Sequence, residues 1–369
     1  MPRASLTSPH SSSPSPHSPH SSTLNVAFIG LGMVAETHLK AVADLSDVLS
    51  LRGIYARNTQ TCRVFAEAAK ELTGRSPVTY GSIAEIAADD AVDFTVILTP
   101  PNARSEIIKP LAAAGKHILM EKPVERNCQA AAAIVDMCEQ AKVLNGVVFQ
   151  HRVREASVKL RQMIESEELG SFCLAEVNVP WWRDQSYYDE PGRGTYTRDG
   201  GGVLISQAIH TLDLLLSLVG DVTEVQAMAR TTTLHDLESE DFVSSGLDFA
   251  NGGCGSLVAS TASYPGDAES ITLHFDKASA HLKSGVLTIN WQDGRNETFG
   301  ADAKTGGGAN PMAFTHAWHR DVIADFCSAI TDGHAPLVSG REALKVHRLI
   351  DALIQSSNNK KAVTVANQE

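Results

Sequence analysis

The sequence predicts an α/β protein: an N-terminal doubly wound parallel sheet followed by a C-terminal α+β domain on a mostly antiparallel sheet. Three observations carry this. Between Asn25 and Gln150, short apolar runs alternate with helical patterns, and continuously apolar strands imply a parallel sheet covered on both faces. The first strand breaks at Gly30-Leu31-Gly32 and reopens as a helix. Beyond about residue 155 strand-like runs dominate, several with the period of two of a half-buried antiparallel sheet.

The elements follow in order. "NVAFI" is a strand and Met33 to Ala43 a helix. "LSLRGIYA" is a strand, then Gln60 to Glu71 a helix. "PVTYG" is a short strand. Ser82 with Glu85 forms a capping box for the next helix. "DFTVILT" is the fourth strand, and Asn102 can cap a helix running to Ala114 that Gly115 ends. "HILM", a helix over Gln129 to Ala141, and "GVVFQ" complete six strands. A helix over Ser157 to Glu167 precedes seven strand-like runs: "SFCLAEVNV", "EVQAMART", "DFVSSGLDF", "GCGSLVAST", "SITLHF", "SAHLK" and "GVLTIN". One helix, about Gly202 to Val219, interrupts them. Two helices close the chain: one with Trp318, Val322, Phe326 and Ile330 on one stripe, the other from about Arg341 to Ser356. The expected domains are residues 24–150 and 151–369. Residues 1–23, with Ser-Pro-His three times, have too few apolar residues to bury and are expected to form a disordered tail.

With 369 residues, 43% hydrophobic and 20% charged, the composition is that of an ordinary globular protein. A net charge of −12 argues against nucleic acid as a partner, because phosphate binding needs a basic face. Anionic small molecules stay open, since they respond to local charge. No run of about 18 apolar residues exists, so no membrane span is expected. The tail lacks an apolar core and has one arginine, which fits neither a secretory signal nor a transit peptide. Six cysteines without C-x-x-C spacing suit free thiols in a reducing compartment. A cytoplasmic location is expected.

Gly30, Gly32 and Ala35 fit G-x-G-x-x-A between a strand and a helix. The first glycine makes the tight turn, the second lets backbone approach a pyrophosphate, and the helix N-terminus faces the anion. A dinucleotide would lie against Gly30, Gly32, Met33, Val34 and Ala35, and against Thr99, Pro100 and Asn102 after the fourth strand. At the end of the second strand, "IYARN" places Ala56 where an acid would bind the ribose of NAD, followed by Arg57. A cation without a carboxylate suits the 2′-phosphate of NADP; a plain surface arginine is the alternative. The cofactor is expected to be NAD(P), with a lean to NADP.

Two further stretches are "GKHILMEKPVERN", holding Glu121-Lys122-Pro123, and "RDGGGVLISQAIHTLDLLLSL", a glycine run opening a helix with His210 and Asp213. Together with "VAFIGLGMVAETH" they resemble the glucose–fructose oxidoreductase/inositol dehydrogenase/MocA family over nearly the whole chain after Leu24. The resemblance implies a Rossmann domain, a C-terminal domain with an open sheet through which dimers or tetramers form, and NAD(P)-linked hydride transfer on sugars or related polyols. It places Glu121 and Lys122 at the nicotinamide, with Lys122 also near the reacting hydroxyl, and makes His210 the general acid/base. The chemistry agrees: histidine has an unperturbed pKa of about 6.5, and a nearby ammonium favours a developing alkoxide.

Three positions depart from the family pattern. Ser206, with Gln207 beside it, stands where many members carry an acid four residues before the histidine, so charge support for the imidazolium is missing. This is closer to the branch acting on nucleotide sugars. Asp213, one turn beyond His210, either compensates in part or is structural. Arg104 stands where histidine is common, and no consequence is assigned to it.

The segment from Val179 to Gly202 concentrates Trp181, Trp182, Arg183, Tyr187, Tyr188, Arg193 and Arg198. Aromatics that stack on sugar rings and arginines that pair with carboxylate or phosphate suit an anionic or glycosylated substrate; a loop packed on its own domain is the alternative. Trp182, Tyr188 and Arg193 are the candidate contacts here. Arg152, in "QHR" at the end of the sixth strand, is a further one, at the edge where such folds bind ligands. His316 and His319 lie in a glycine-led loop; no third ligand is evident, no metal is expected, and loop closure or a dimer contact is the better reading. The competing functions are a dehydrogenase or reductase for a sugar, sugar acid or nucleotide sugar, a glycosidase using NAD transiently, and a non-catalytic dinucleotide sensor.

Overall fold

A computed structural model describes residues 23–306 and 312–366. The tail up to residue 22 and the glycines at 307–308 lie outside them. The first sheet joins β1 (Leu24–Ile29), β2 (Leu49–Tyr55), β3 (Val78–Thr79), β4 (Phe94–Ile97), β5 (His117–Glu121) and β6 (Asn145–Val148). Their order is β3-β2-β1-β4-β5-β6 and all pairs are parallel. Helices α1 (Ala35–Asp44), α2 (Thr59–Thr73), α3 (Ile83–Ala88), α4 (Arg104–Ala113) and α5 (Cys128–Gln140) connect them. The chain reverses its direction of winding between β1 and β4, which opens a crevice at the carboxyl ends of those strands. Val26, Ala27, Phe28 and Ile29 are fully buried, as expected of a strand covered on both faces.

Local chemistry sets the helix ends. The Asn58 side chain accepts from the N–H groups of Gln60 and Thr61, and Gly74 closes α2 in the left-handed region. Ser82 accepts from Glu85, whose carboxylate returns to the Gly81 N–H rather than to that of Ser82. Asn102 caps nothing. It is exposed in a 3-10 turn, Pro101–Ala103, and α4 starts at Arg104 without a side-chain cap.

After α6 (Glu155–Glu165) and β7 (Phe172–Pro180) come the short α7 (Gln185–Tyr188) and α8 (Ile209–Val219). Strands β8 (Val222–Arg230), β9 (Phe242–Phe249), β10 (Cys254–Ser260), β11 (Ser270–Phe275), β12 (Ala278–Lys283), β13 (Val286–Trp291) and β14 (Asn296–Gly300) follow. The chain closes with α9 (Ala317–Asp332), α10 (Gly340–Asn359) and β15 (Val363–Thr364). The second sheet runs β14-β13-β12-β11-β7-β10-β9-β8-β15. Its pairs are antiparallel except β7 with β10. The sequence pattern did not mark β14 or β15, which are short and lie at the sheet's edges.

The closing helices bridge the two sheets: α10 packs on β8, where the Ala227 and Ala229 N–H groups donate to Ser356 and Ser357, while α9 crosses to the first sheet. Val322, Ile323, Phe326 and Cys327 of α9 join the core cluster of β1 and α1, and Phe326 meets Phe94 edge-on at 5.4 Å. The Val147 N–H donates to Val338 O, tying β6 to the lead-in of α10. Both sheets thus share a continuous interior, and the crevice at β1 and β4 faces α8. Among the described residues no helix is long and apolar enough to cross a membrane.

Candidate active site

A cleft of about 500 Å³ opens where the two sheets meet. Gly32, Met33, Val34, Thr99, Pro100, Glu121, Lys122, Ser206, Gln207 and His210 line it. Gly30 is held at φ 92°, where a Cβ would lie 3.0 Å from Leu98 C and Thr99 N, so only glycine turns here without strain. A Cβ on Gly32 would meet nothing within 4 Å. That open face lies beside the N-terminus of α1, which has no side-chain cap, as an anion cradle requires. Ala35 is buried under this turn, while Arg57 is exposed at the end of β2. Asn102 does not line the cleft.

At the wall of the cleft, Arg104 is the largest fully buried side chain among the described residues. Its guanidinium donates to the carbonyl oxygens of Thr99, Glu121 and Pro123, so it fastens the loop after β4 to the Glu121-Lys122-Pro123 turn. The departure noted at this position therefore has a structural consequence. Burial lowers its basicity to about 10. Glu121 Oε1 lies 2.8 Å from His38 Nε2 and 3.5 Å from His319 Nε2. Burial pushes the Glu121 carboxyl up, but hydrogen bonds from His319 and His38 outweigh it and hold the group well below the usual range.

The expectation that His319 lacks ligand-type neighbours is thus corrected: His38, Glu121 and His319 bring their ligand atoms within 4.8 Å of one another. His316 turns away to Asp44. We read the cluster as a hydrogen-bonded network, because the Arg104 and Lys122 charges already face Glu121 and oppose a further cation. His319 also stacks on Phe314 and lines the cleft.

Lys122 is partly buried, and its Nζ donates to Ser206 O at 2.6 Å. Burial lowers its basicity to about 8, opposed by the Glu121 charge. Ser206 belongs to a π-helical turn, Leu204–Ala208, that replaces the expected start of the helix; such turns free carbonyls from the helical ladder and gather at functional sites. Glu240, which sequence reasoning missed, accepts from the N–H groups of Gly202 and Leu204 and caps this turn from inside. His210 follows in α8, 6% exposed. Burial and then the Lys122 charge hold its imidazole well below the ordinary value. A neutral imidazole and an ammonium in one cleft can take a proton from a hydroxyl and stabilise the oxygen left behind.

Several substrate contacts are reassigned. Arg152 and Asp213 are buried and paired bidentately, at 2.7 and 2.6 Å, and neither lines the cleft. They join the turn after β6 to α8, so Asp213 is spent on Arg152 rather than on His210. Trp182 packs edge-on against Tyr264, and the Tyr188 hydroxyl is bonded to Thr261. Their neighbours Trp181 and Tyr187 face the cleft instead, with Arg183, Arg193, Arg198 and Gln150. Arg193 lies over the Tyr187 ring at 4.3 Å and pairs with Glu190. The Gln207 side chain reaches the Tyr187 hydroxyl at 3.4 Å.

Residues 24–149 match a family described as an oxidoreductase family with an NAD-binding Rossmann fold, and residues 157–281 match the GFO/IDH/MocA C-terminal domain. Inositol 2-dehydrogenase of Rhizobium meliloti is 24% identical over 93% of this chain and 100% of its own length. D-xylose 1-dehydrogenase (NADP(+)) 2 of Haloferax volcanii is 26% identical over 78% of this chain and 85% of its own. Among solved structures, the WlbA dehydrogenase of Bordetella pertussis, in complex with NADH and UDP-GlcNAcA, is 26% identical. It superposes with a TM-score of 0.78 over 94% of this chain and 100% of its own.

Proposed function

The chain belongs to the Gfo/Idh/MocA oxidoreductase family, and from that premise we propose that it interconverts a secondary alcohol and a ketone on an anionic sugar, such as a sugar acid or nucleotide sugar. One observation carries the reading: Lys122 and His210 line the same cleft as the Gly30–Gly32 turn. Gly32, Met33, Val34, Thr99, Pro100 and Glu121 would hold the dinucleotide. When bound, the nicotinamide supplies the hydride acceptor or donor. His210 takes the hydroxyl proton on Nε2, because its imidazole is neutral at working pH. The Lys122 ammonium, fixed by Ser206 O, faces the same oxygen and offsets its charge. Trp181 and Tyr187 would form the aromatic side of the sugar site, with Arg183 and Arg193 lying over their rings. Three arginines, Arg183, Arg193 and Arg198, against one Glu190 that pairs with two of them, favour a carboxylate or phosphate on the sugar. The similarity to an enzyme bound to UDP-GlcNAcA supports this choice.

NADP is the preferred dinucleotide in this reading. Ala56 removes the acid that would bind a free 2′-hydroxyl, and the exposed Arg57 stands beside the N-terminus of α2. The protein acts as a homodimer or homotetramer in the cytoplasm, without nucleic-acid or membrane partners. The exposed Met228, Val258 and Tyr264 on the second sheet and its margin support self-association, and the net charge of −12 disfavours nucleic acid.

The test is in two steps. Nicotinamide fluorescence is followed as the protein is titrated with NADH and NADPH. Reduction of the preferred NAD(P)+ is then measured with neutral sugars, sugar acids and UDP-linked sugar acids, in the native protein and in His210→Ala. Turnover of an acid, lost in the variant with dinucleotide binding kept, is expected. Binding of neither dinucleotide, or equal turnover in His210→Ala, defeats the reading. Retained NAD without net reduction favours an NAD-dependent glycosidase.

A further inference from the structure

Beneath His210 lies a second buried imidazole. His151, from the 3-10 turn Gln150–Val153, stacks on it with ring centroids 5.0 Å apart and planes 24° apart. His151 is 2% exposed. Its Nε2 lies 3.6 Å from Oε1 of Glu269, which precedes β11 and is also buried. The same carboxylate pairs with Arg154 at 2.7 Å and accepts from Trp181 Nε1 at 3.2 Å. One buried acid beside the second sheet therefore pairs with a cation, accepts from the indole that lines the cleft and faces the ring under His210.

A histidine that accepts a proton gains a charge that its surroundings must carry. Around His210, burial, Lys122, Arg154 and His319 oppose that charge and Glu121 favours it. Ser206, four residues earlier, brings no charge. Asp213 is committed to Arg152. His151 faces Arg154, His210 and Lys122, and burial keeps it neutral as well. A neutral ring face beneath an imidazolium attracts it, and the Glu269 carboxylate offsets one of the opposing charges, that of Arg154.

We infer that His151 and Glu269 are the positioning pair of His210: His151 fixes the plane of the ring, and Glu269, paired with Arg154, offsets a cation that opposes charge on His210. The inference rests on the reading of His210 as proton acceptor. Through Trp181, the same acid also sets one wall of the substrate cleft. Loss of Glu269 should then touch both the proton step and the sugar platform, whereas loss of the His151 ring should touch the first alone.

The test follows the His210 ring directly in the full chain. Protein carrying carbon-13 histidine is titrated by NMR with NADH bound, and the His210 resonance is identified by its loss in His210→Ala. Glu269→Gln is expected to lower the His210 midpoint by about one pH unit, because a nearby negative charge is lost; Glu269→Asp should restore most of it. His151→Phe keeps a flat ring and should hold the midpoint near its native value, whereas His151→Ala should lower it and broaden the signal. A folded Glu269→Gln with an unmoved midpoint overturns the inference; if the buried ring stays neutral across the accessible range in both proteins, the acidic limb of kcat decides, and an unmoved limb overturns it. If Glu269→Gln does not fold, His151→Ala decides, and an unmoved midpoint there overturns it. Turnover in His210→Ala judges the earlier reading separately. Lost turnover with unmoved midpoints defeats the pair alone, and retained turnover defeats the proton-acceptor reading itself.

Discussion

Lys122 Nζ donates to the main-chain carbonyl of Ser206 across 2.6 Å, joining the end of β5 to the π turn before the His210 helix. The bond spans the two halves of the cleft and fixes the ammonium with a basicity of about 8. The charged form therefore dominates at pH 7 and is lost as pH rises through about 8. Alcohol oxidation should fall above that pH. Lys122→Met should lower kcat by roughly 10²–10³-fold with NADPH affinity little changed. Lys122→Arg should keep some activity and move the alkaline limb upward, because a guanidinium does not titrate there. pH–rate profiles of the native protein and Lys122→Arg check this; the same alkaline limb in both would assign it to another group.

Arg104 has three carbonyl partners on two segments of the cleft wall. Arg104→Met removes the donor that these three carbonyls share. The cost should be about 3–5 kcal/mol, with weaker dinucleotide binding because Thr99 and Glu121 lose their tether. Arg104→Lys reaches fewer of them and should recover part of the loss. Urea unfolding and NADPH titration of both variants measure it. A stability change below about 1 kcal/mol in Arg104→Met would remove Arg104 from the framework of the site.

The parallel sheet and the Gly30–Gly32 turn were legible because strand burial and glycine spacing are local. The site's second half was less so. Trp181–Trp182 and Tyr187–Tyr188 are adjacent pairs of like residues, and without a known period nothing in the sequence says which partner faces inward; the structure picks Trp181 and Tyr187. The π turn was hidden because α8 is apolar on every side, with Leu212, Leu214, Leu215 and Leu216 all buried. The contacts among His38, Glu121 and His319 join three distant segments, so no spacing rule reveals them. Arg152 and Asp213 each looked functional alone, and only their 61-residue separation in sequence concealed that they satisfy one another.

Ala56 and Arg57 give the proposed NADP preference a direct test. Ala56→Asp puts a carboxylate at the end of β2, where it accepts from a free ribose hydroxyl and repels a 2′-phosphate. The variant should lose about tenfold or more in NADPH affinity while NADH affinity holds or rises. Arg57→Ala should lower NADPH affinity alone. Paired fluorescence titrations measure both ratios. Unchanged ratios in the two variants would make Arg57 an ordinary surface arginine.

His347 gives a pH dependence that is independent of catalysis. Its Nε2 accepts from the Val124 N–H at 3.2 Å behind the Lys122 turn. Burial, with the Arg104 charge adding to it, lowers its imidazole to about 3. In the unfolded chain the ring binds a proton near its ordinary value of about 6.5. Between those values the unfolded state holds a proton that the folded state does not, so stability rises with pH across this window. The neutral ring's contribution is complete above about 6.5 and is lost by about 1.4 kcal/mol per unit as pH falls toward 3. His347→Gln keeps an acceptor for Val124 and removes the titration. Between about pH 6.5 and 5 it should lose roughly 2 kcal/mol less than the native protein, as read from urea midpoints at fixed ionic strength. His38, His151 and His210, also held below their ordinary values by burial, keep part of the slope in the variant. Parallel stability curves for the two proteins would mean that His347 already carries its proton in the fold, and that the Val124 N–H is bound by another acceptor.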